Sequence, residues 1–166
     1  MREILVAFAL LFATQARPGW QTGVHVVAVF PIEACPENAD CRTAENEIVL
    51  ALRQAHMNVI GSQRVQAAAF KLGGEPSTVD RQQLLKNLAE EVRVQSIEAV
   101  AVAKVVFSKV EPPAPGRIGS SEARVHLEIR SVGGDLLVLG EEGAGGFDLG
   151  GAVGHSVKAI MAKAAK

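Results

Sequence analysis

The strongest constraint on the fold of this 166-residue chain is a strict two-residue alternation between positions 122 and 130. Every second residue is apolar: Ala123, Val125, Leu127 and Ile129. The residues between and beside them are polar: Glu122, Arg124, His126, Glu128 and Arg130. Successive side chains of a β-strand point to opposite faces of the sheet. The pattern therefore predicts a strand with one face buried in a core and one face in water.

Other apolar segments predict the remaining strands of this sheet. Positions 24–32 and 99–107 are almost entirely apolar, which is typical of strands buried on both faces, and 57–63 is a shorter segment of the same kind. Gly133-Gly134 predicts a tight turn, after which 136–139 returns as the hairpin partner of the alternating strand.

Apolar residues at helical spacing predict helices between these strands. Three helices are expected at about 43–56, 65–72 and 151–164, and a fourth, containing Leu84 to Val92, follows the capping-box pattern Ser77-Thr78-Val79-Asp80. The order of elements predicts an α/β (α+β) fold in which helices pack on a single mixed sheet of about five strands.

Two segments are predicted to be connections. Positions 111–119 are rich in proline and cannot form a helix or a central strand. Positions 140–154 hold seven glycines and are expected to be a flexible link. A phosphate loop is excluded there, because the segment lacks the GxxxxGK[ST] pattern and carries three carboxylates.

Lys104 interrupts an apolar strand, and we expect it near the strand end, where its ammonium group reaches water.

The N-terminus has the three parts of a secretory signal peptide. Arg2 is positively charged, Ile4 to Ala13 is an unbroken apolar run, and Thr14-Gln15-Ala16 offers small residues before a cleavage site. The run is too short to span a bilayer, which requires about 20 residues. The sequence predicts a signal peptide at 1–16, a single α/β domain at 17–166 without a transmembrane span, and export to the periplasm or the outer membrane.

Cys35 and Cys41 are separated by a turn-rich segment. In an oxidising compartment they could close a small loop, with a stabilisation of about 2 kcal/mol from chain entropy. A zinc site is the weaker alternative, because zinc requires four ligands, usually in close pairs. Two free thiols are the other alternative. We predict a disulfide.

Composition excludes several classes of function. The formal net charge is −1, which indicates neither a nucleic-acid partner nor an anionic membrane surface. Aromatic residues make up 4% of the chain, too few for stacking on sugars or bases. The four histidines are far apart in sequence and form no metal-binding motif: His25, His56, His126 and His155. We expect no metal, no cofactor and no catalytic residues.

The order and local patterns resemble the curli-secretion-channel superfamily of bacterial envelope proteins, which includes the amino-terminal domain of TolB. Four segments carry the resemblance: VHVVAVFPIE, ALRQAHMNVIGSQRV, LLKNLAEEV leading into SIEAVAVAKVVF, and VHLEIRSVGGDLLVLGEEG with the terminal helix. The resemblance implies a scaffold or binding module that acts through protein–protein contacts.

These observations favour a non-catalytic envelope protein whose partner-binding face is the polar side of 122–130. The strand is expected to be paired with 136–139 on one side and could be a free edge on the other, where a partner strand could add. Assembly with further copies of the chain is left open. The alternative is a secreted hydrolase with a site near the glycine-rich segment, gathering His155 and Asp148.

Overall fold

The computed structural model describes residues 15–16, 25–33, 41–111 and 120–165. The strands are β1 (Gln15–Ala16), β2 (Val26–Val29), β3 (Asn58–Ile60), β4 (Ala99–Glu111), β5 (Ser120–Ser131) and β6 (Leu136–Gly146). The helices are α1 (Cys41–Gln54), α2 (Ser62–Lys71), α3 (Arg81–Val92) and α4 (Leu149–Ala164). Five of the strands form a mixed sheet, and the two-residue β1 adds to its edge. The predicted α/β fold with a single mixed sheet is confirmed.

The strand order is β1-β6-β5-β4-β2-β3. β2 pairs in parallel with both β3 and β4, whereas β4, β5 and β6 pair antiparallel. The chain moves from β2 to β3 through α1, and returns past β2 to β4 through α2 and α3. Because parallel crossovers are right-handed in nearly all proteins, this reversal of direction places α1 and the α2–α3 pair on opposite faces of the sheet.

The face that carries α1 is covered by α1 and α4 together, and we call it the closed face. Its core joins side chains from β2 to β6 with one side of each helix, as the alternation in 122–130 predicts. Leu127 and Ile129 of β5 are fully buried here, as are Ile48 and Leu52 of α1 and Ile160 of α4. Burial of side chains of this size stabilises the fold by about 1.5–3 kcal/mol each.

Helices α2 and α3 pack on the other face, but only over its β2–β3 side. Their apolar residues, such as Leu84 and Leu88, contact Ala28 of β2, Ile60 of β3 and Val100 near the start of β4. No described helix covers this face beyond that point, along the rest of β4 and along β5 and β6.

The predicted flexible link at 140–154 is wrong. Strand β6 continues to Gly146 and α4 begins at Leu149. Two of the glycines in β6 are required by close packing: a Cβ on Gly140 would lie 2.5 Å from Cγ2 of Ile160, and one on Gly146 would lie 2.4 Å from the backbone nitrogen of Ala152. Gly150 in turn faces Thr43 of α1. Glycine here brings β6, α4 and α1 together rather than providing flexibility.

Two smaller predictions also need correction. Ser77 does not cap α3; Asp80 is the N-cap, and its carboxylate accepts a hydrogen bond of 2.7 Å from the backbone N–H of Gln83. Thr78 instead closes the preceding turn, accepting from the backbone N–H of Glu75. Lys104 lies in the middle of β4 rather than near its end, because the strand runs on to Glu111.

The predicted signal peptide falls almost entirely outside the described residues. Gln15 and Ala16, its last two residues, pair with Leu139 and Val138 of β6. Cleavage after Ala16 would remove this short strand and leave β6 at the edge of the sheet. Within the described ranges, no helix has both the length and the apolar character needed to cross a membrane.

Candidate functional site

The uncovered part of the second face is the candidate functional site, and we call it the open face. It comprises the outward side chains of β4, β5 and β6 that no described helix covers: Lys104, Val106, Glu122, Arg124, His126, Glu128, Arg130, Leu139 and Glu141. Strand register brings them together, because residues directly opposite in an antiparallel pair share a face. His126 lies between Lys104 of β4 and Glu141 of β6.

Contacts between polar side chains connect the residues of the open face. Glu141 lies 3.7 Å from both Arg124 and His126, measured between the nearest carboxylate oxygen and ring or guanidinium nitrogen. Arg130 contacts Glu128 on its own strand. Lys104 lies 3.1 Å from Glu33, which follows β2.

These pairs are solvent-exposed, so each contributes about 0–1 kcal/mol to stability. Their guanidinium and carboxylate groups therefore remain available to a partner at little cost to the fold.

The open face is charged but balanced. It presents three basic residues, Lys104, Arg124 and Arg130, and an equal number of glutamates. Val106 lies among these charges with 59% of its surface exposed. A mixed surface of this kind favours a partner with a complementary charge pattern and disfavours partners of uniform charge.

The expectation that 122–130 could be a free edge is wrong. Strand β5 pairs with β4 on one side and with β6 on the other, so its backbone groups are used within the sheet. The β3 edge of the sheet is short, and a guanidinium nitrogen of Arg53 donates to the backbone carbonyl of Val59 there at 3.3 Å. Short edge strands and edge charges are devices that oppose strand addition. The candidate surface at 122–130 is therefore the face of β5, because both edges of this strand are paired within the sheet.

The hydrolase alternative placed His155 and Asp148 in one site. Asp148 is the N-cap of α4 and accepts a hydrogen bond of 2.7 Å from the backbone N–H of Gly151. His155 is exposed, and its Nδ1 lies 3.0 Å from the carbonyl oxygen of Gly145. Neither residue lines any of the four main cavities among the described residues. The structure gives each residue a structural contact and does not assemble them into a site.

The predicted Cys35–Cys41 disulfide cannot be followed through the structure. Cys41 begins α1, whereas Cys35 lies outside the described residues. The disulfide therefore stays a prediction. Among the described residues, no three His, Cys, Asp or Glu side chains are grouped so that they could hold a metal ion.

Several residues near these surfaces were missed by reasoning from the sequence. Glu45 of α1 is buried, and its carboxylate accepts from the backbone N–H of Ile32 at 3.1 Å and from the hydroxyl of Ser62 at 2.5 Å, tying the end of β2 to the start of α2. The sequence pattern assigns Glu141 to a glycine-rich link. Its place in the open face follows from the hairpin register, which the turn at Gly133-Gly134 could have supplied.

Comparison with solved structures finds the same fold in other proteins. PelC from Paraburkholderia phytofirmans, a dodecamer, matches with a TM-score of 0.54 and 13% identity over 91% of this chain and 94% of that chain. A variant of the same PelC, also a dodecamer, matches with a TM-score of 0.53 and 13% identity over 91% and 96% of the two chains.

The lipoprotein GNA1162 from Neisseria meningitidis matches with a TM-score of 0.49 and 12% identity over 74% and 83% of the two chains. No protein-family model matches the sequence, and a search of curated proteins found no match. At these identities the likeness to PelC shows a shared fold alone. The narrower resemblance to the curli secretion channel and to TolB is not shown and stays a prediction.

Proposed function

We propose that this chain is an exported, non-catalytic protein of the bacterial cell envelope, and that it works as a scaffold by binding other protein chains through its open face. The observation that carries the proposal is the half-covered sheet. Helices cover both faces of a sheet where its strands are parallel, whereas antiparallel strands such as β4, β5 and β6 can leave one face in water. Here the coverage stops at β4 and leaves a wide, structured surface exposed.

The chemistry of the open face supports a protein partner. Its strands hold the backbone of these charged residues at fixed spacing, so no backbone ordering is needed when a partner binds. Guanidinium groups such as those of Arg124 and Arg130 can form two parallel hydrogen bonds to a carboxylate. Val106 adds apolar area between the charges. A cofactor or a buried substrate plays no part in this account.

The test is reversal of charge at Arg124 and Arg130. Arg124→Glu together with Arg130→Glu should abolish recovery of envelope partners with the tagged protein, because both guanidinium groups would become repulsive. The matched control is Arg42→Glu with Arg64→Glu, which changes the net charge equally at exposed positions on α1 and α2. Thermal unfolding should show that both double variants fold. Unchanged recovery with the open-face variant would contradict the proposal.

Export follows from the predicted signal peptide. We expect mass spectrometry of the protein from its native host to find a chain that begins near Arg17. An intact Met1 on a protein that stays in the cytoplasm would contradict export.

In the exported protein, a Cys35–Cys41 disulfide should lower the mass by two hydrogens relative to the reduced chain. Alkylation of two free thiols would contradict the bridge.

Self-assembly is part of the proposal. The two PelC structures with this fold are dodecamers, which supports testing whether copies of this chain assemble. Native mass spectrometry of the purified chain should detect a discrete oligomer at micromolar concentration. A monomer at all concentrations would restrict the open face to partners other than the chain itself.

A further inference from the structure

A second surface lies beside the open face. It is a groove of about 1300 Å³ between α2, the loop that leads to α3, and the residues after β2. One side of α2 lines it with residues at helical spacing, Gln63, Gln66, Ala67 and Phe70. We call it the Phe70 groove. Its volume exceeds the 300–1,000 Å³ of typical small-molecule sites, so it is better matched to a segment of polypeptide.

The groove lies where open α/β sheets generally bind their ligands. Phe30 and Ile32 line it immediately after the carboxyl end of β2, and α2 begins just after the carboxyl end of the parallel strand β3. Ligand sites in such sheets form in the crevice outside the carboxyl ends of parallel strands.

Apolar residues give the groove its binding capacity. Phe70 has 83% of its surface exposed, the largest exposure of any large apolar side chain among the described residues. Phe30, Val79 and Val102 also line the groove. An exposed aromatic side chain beside partly buried apolar residues is the composition of an anchor pocket for an apolar side chain.

Charged residues of both signs line the groove, Lys71 and Arg81 with Glu33 and Glu75, and Arg81 is the cation available to a ligand. Its guanidinium carbon lies 5.4 Å from the centre of the Phe30 ring, which holds the group over the aromatic face. The neighbouring cations are already paired: Lys71 lies 2.7 Å from Glu91, and Lys104 lies 3.1 Å from Glu33. No carboxylate of the described residues forms an ion pair with Arg81.

We propose that the Phe70 groove binds an extended acidic–apolar peptide segment of a partner protein. A Glu or Asp of the segment accepts hydrogen bonds from the guanidinium of Arg81, and a neighbouring apolar side chain packs against Phe70 and Val79. The guanidinium of Arg81 favours an acidic residue in the bound peptide. Because this group is already held in place, it can bind a carboxylate through two hydrogen bonds with little further loss of entropy. The inference rests on the proposed role in protein binding but uses a different surface.

The test is selection of peptides from a random heptapeptide display library on the purified protein, with affinities then measured by fluorescence anisotropy. The selected peptides should carry Asp or Glu within about two residues of a large apolar residue. Replacing that acid by Asn or Gln in the synthetic peptide should weaken binding at least tenfold. This substitution is made in the peptide, so the protein itself is unaltered.

Variants of the protein give the complementary result. Arg81→Gln and Phe70→Ala should each weaken binding at least tenfold, and Arg81→Lys should recover only part of the loss. Lys86→Gln, on the same helix, and Phe147→Ala, which removes another exposed aromatic, are the matched controls and should change affinity less than twofold.

Three results would overturn the inference: no enriched peptide, enriched peptides without an acid, or equal losses in the test and control variants. None of them bears on the open face, because the proposed function is tested with Arg124 and Arg130. The two proposals can therefore fail separately.

Discussion

On the closed face, α1 and α4 cover strands β2 to β6, whereas on the opposite face α2 and α3 reach only the start of β4. Strand β5 contributes side chains to both faces of the sheet. Its side chains at 123, 125, 127 and 129 are buried, and those at 122, 124 and 130 are exposed. The two faces of β5 therefore differ in their contribution to stability. Residues on the closed face stabilise the fold by burial, and each exposed pair on the open face contributes at most about 1 kcal/mol.

The largest expected difference lies between neighbours on β5. Leu127→Ala removes a fully buried side chain from the closed face and should lower the free energy of unfolding by about 2–5 kcal/mol, the usual cost of a cavity in a core. Glu128→Ala, one residue further on, removes an exposed contact with Arg130 and should change it by at most about 1 kcal/mol. Chemical denaturation of both variants measures the difference. Equal effects would show that the faces do not differ in this way.

A second comparison uses two glycines of β6. Gly146→Ala places a methyl group against the backbone of Ala152 and should cost about 1–3 kcal/mol through overpacking. Gly143→Ala meets no atom closer than 3.9 Å, so its unfolding free energy should be unchanged or slightly higher. Thermal melts of the two variants measure this difference in stability. If both alanines are tolerated equally, the close approach of β6 and α4 is not required by the fold.

A smaller effect on stability is expected in helix α3, which with α2 covers only part of the second face of the sheet. Asp80→Ala removes the N-cap of α3 and should lower stability by about 1 kcal/mol. Ser77→Ala, which the capping-box pattern would have made the damaging change, should have almost no effect. Urea unfolding curves of the pair separate the two assignments, and a larger loss for Ser77→Ala would show that the helix is capped differently in solution.

Much of this architecture could be predicted from local pattern. The alternation at 122–130 identified β5 and the face on which each side chain lies, because a strand has a strict two-residue period. The apolar segments identified β2 and β4. The failures have a common cause. Flexibility is an intrinsic property of glycine, whereas the role of Gly140 and Gly146 depends on the contacts with Ile160 and Ala152 that form only in the folded chain.

The open face shows the same limit. The sequence identified its β5 residues, but it did not show that β5 is central or that Lys104 and Glu141 flank His126. Strand order depends on which faces are covered by which helices, and no local pattern encodes it. The Phe70 groove was missed altogether, because Phe30, Phe70 and Arg81 come from three different elements.

The most direct test of the central claim is site-specific photo-cross-linking in the native host. A photoreactive amino acid would replace Arg124 or Glu128 on the open face, and Lys158 on the outer surface of α4 as the control. If the open face binds a partner, cross-links to another protein chain will form from the open-face positions and none will form from position 158. Cross-links from α4 alone, or none from the open face in a folded and exported protein, would contradict it.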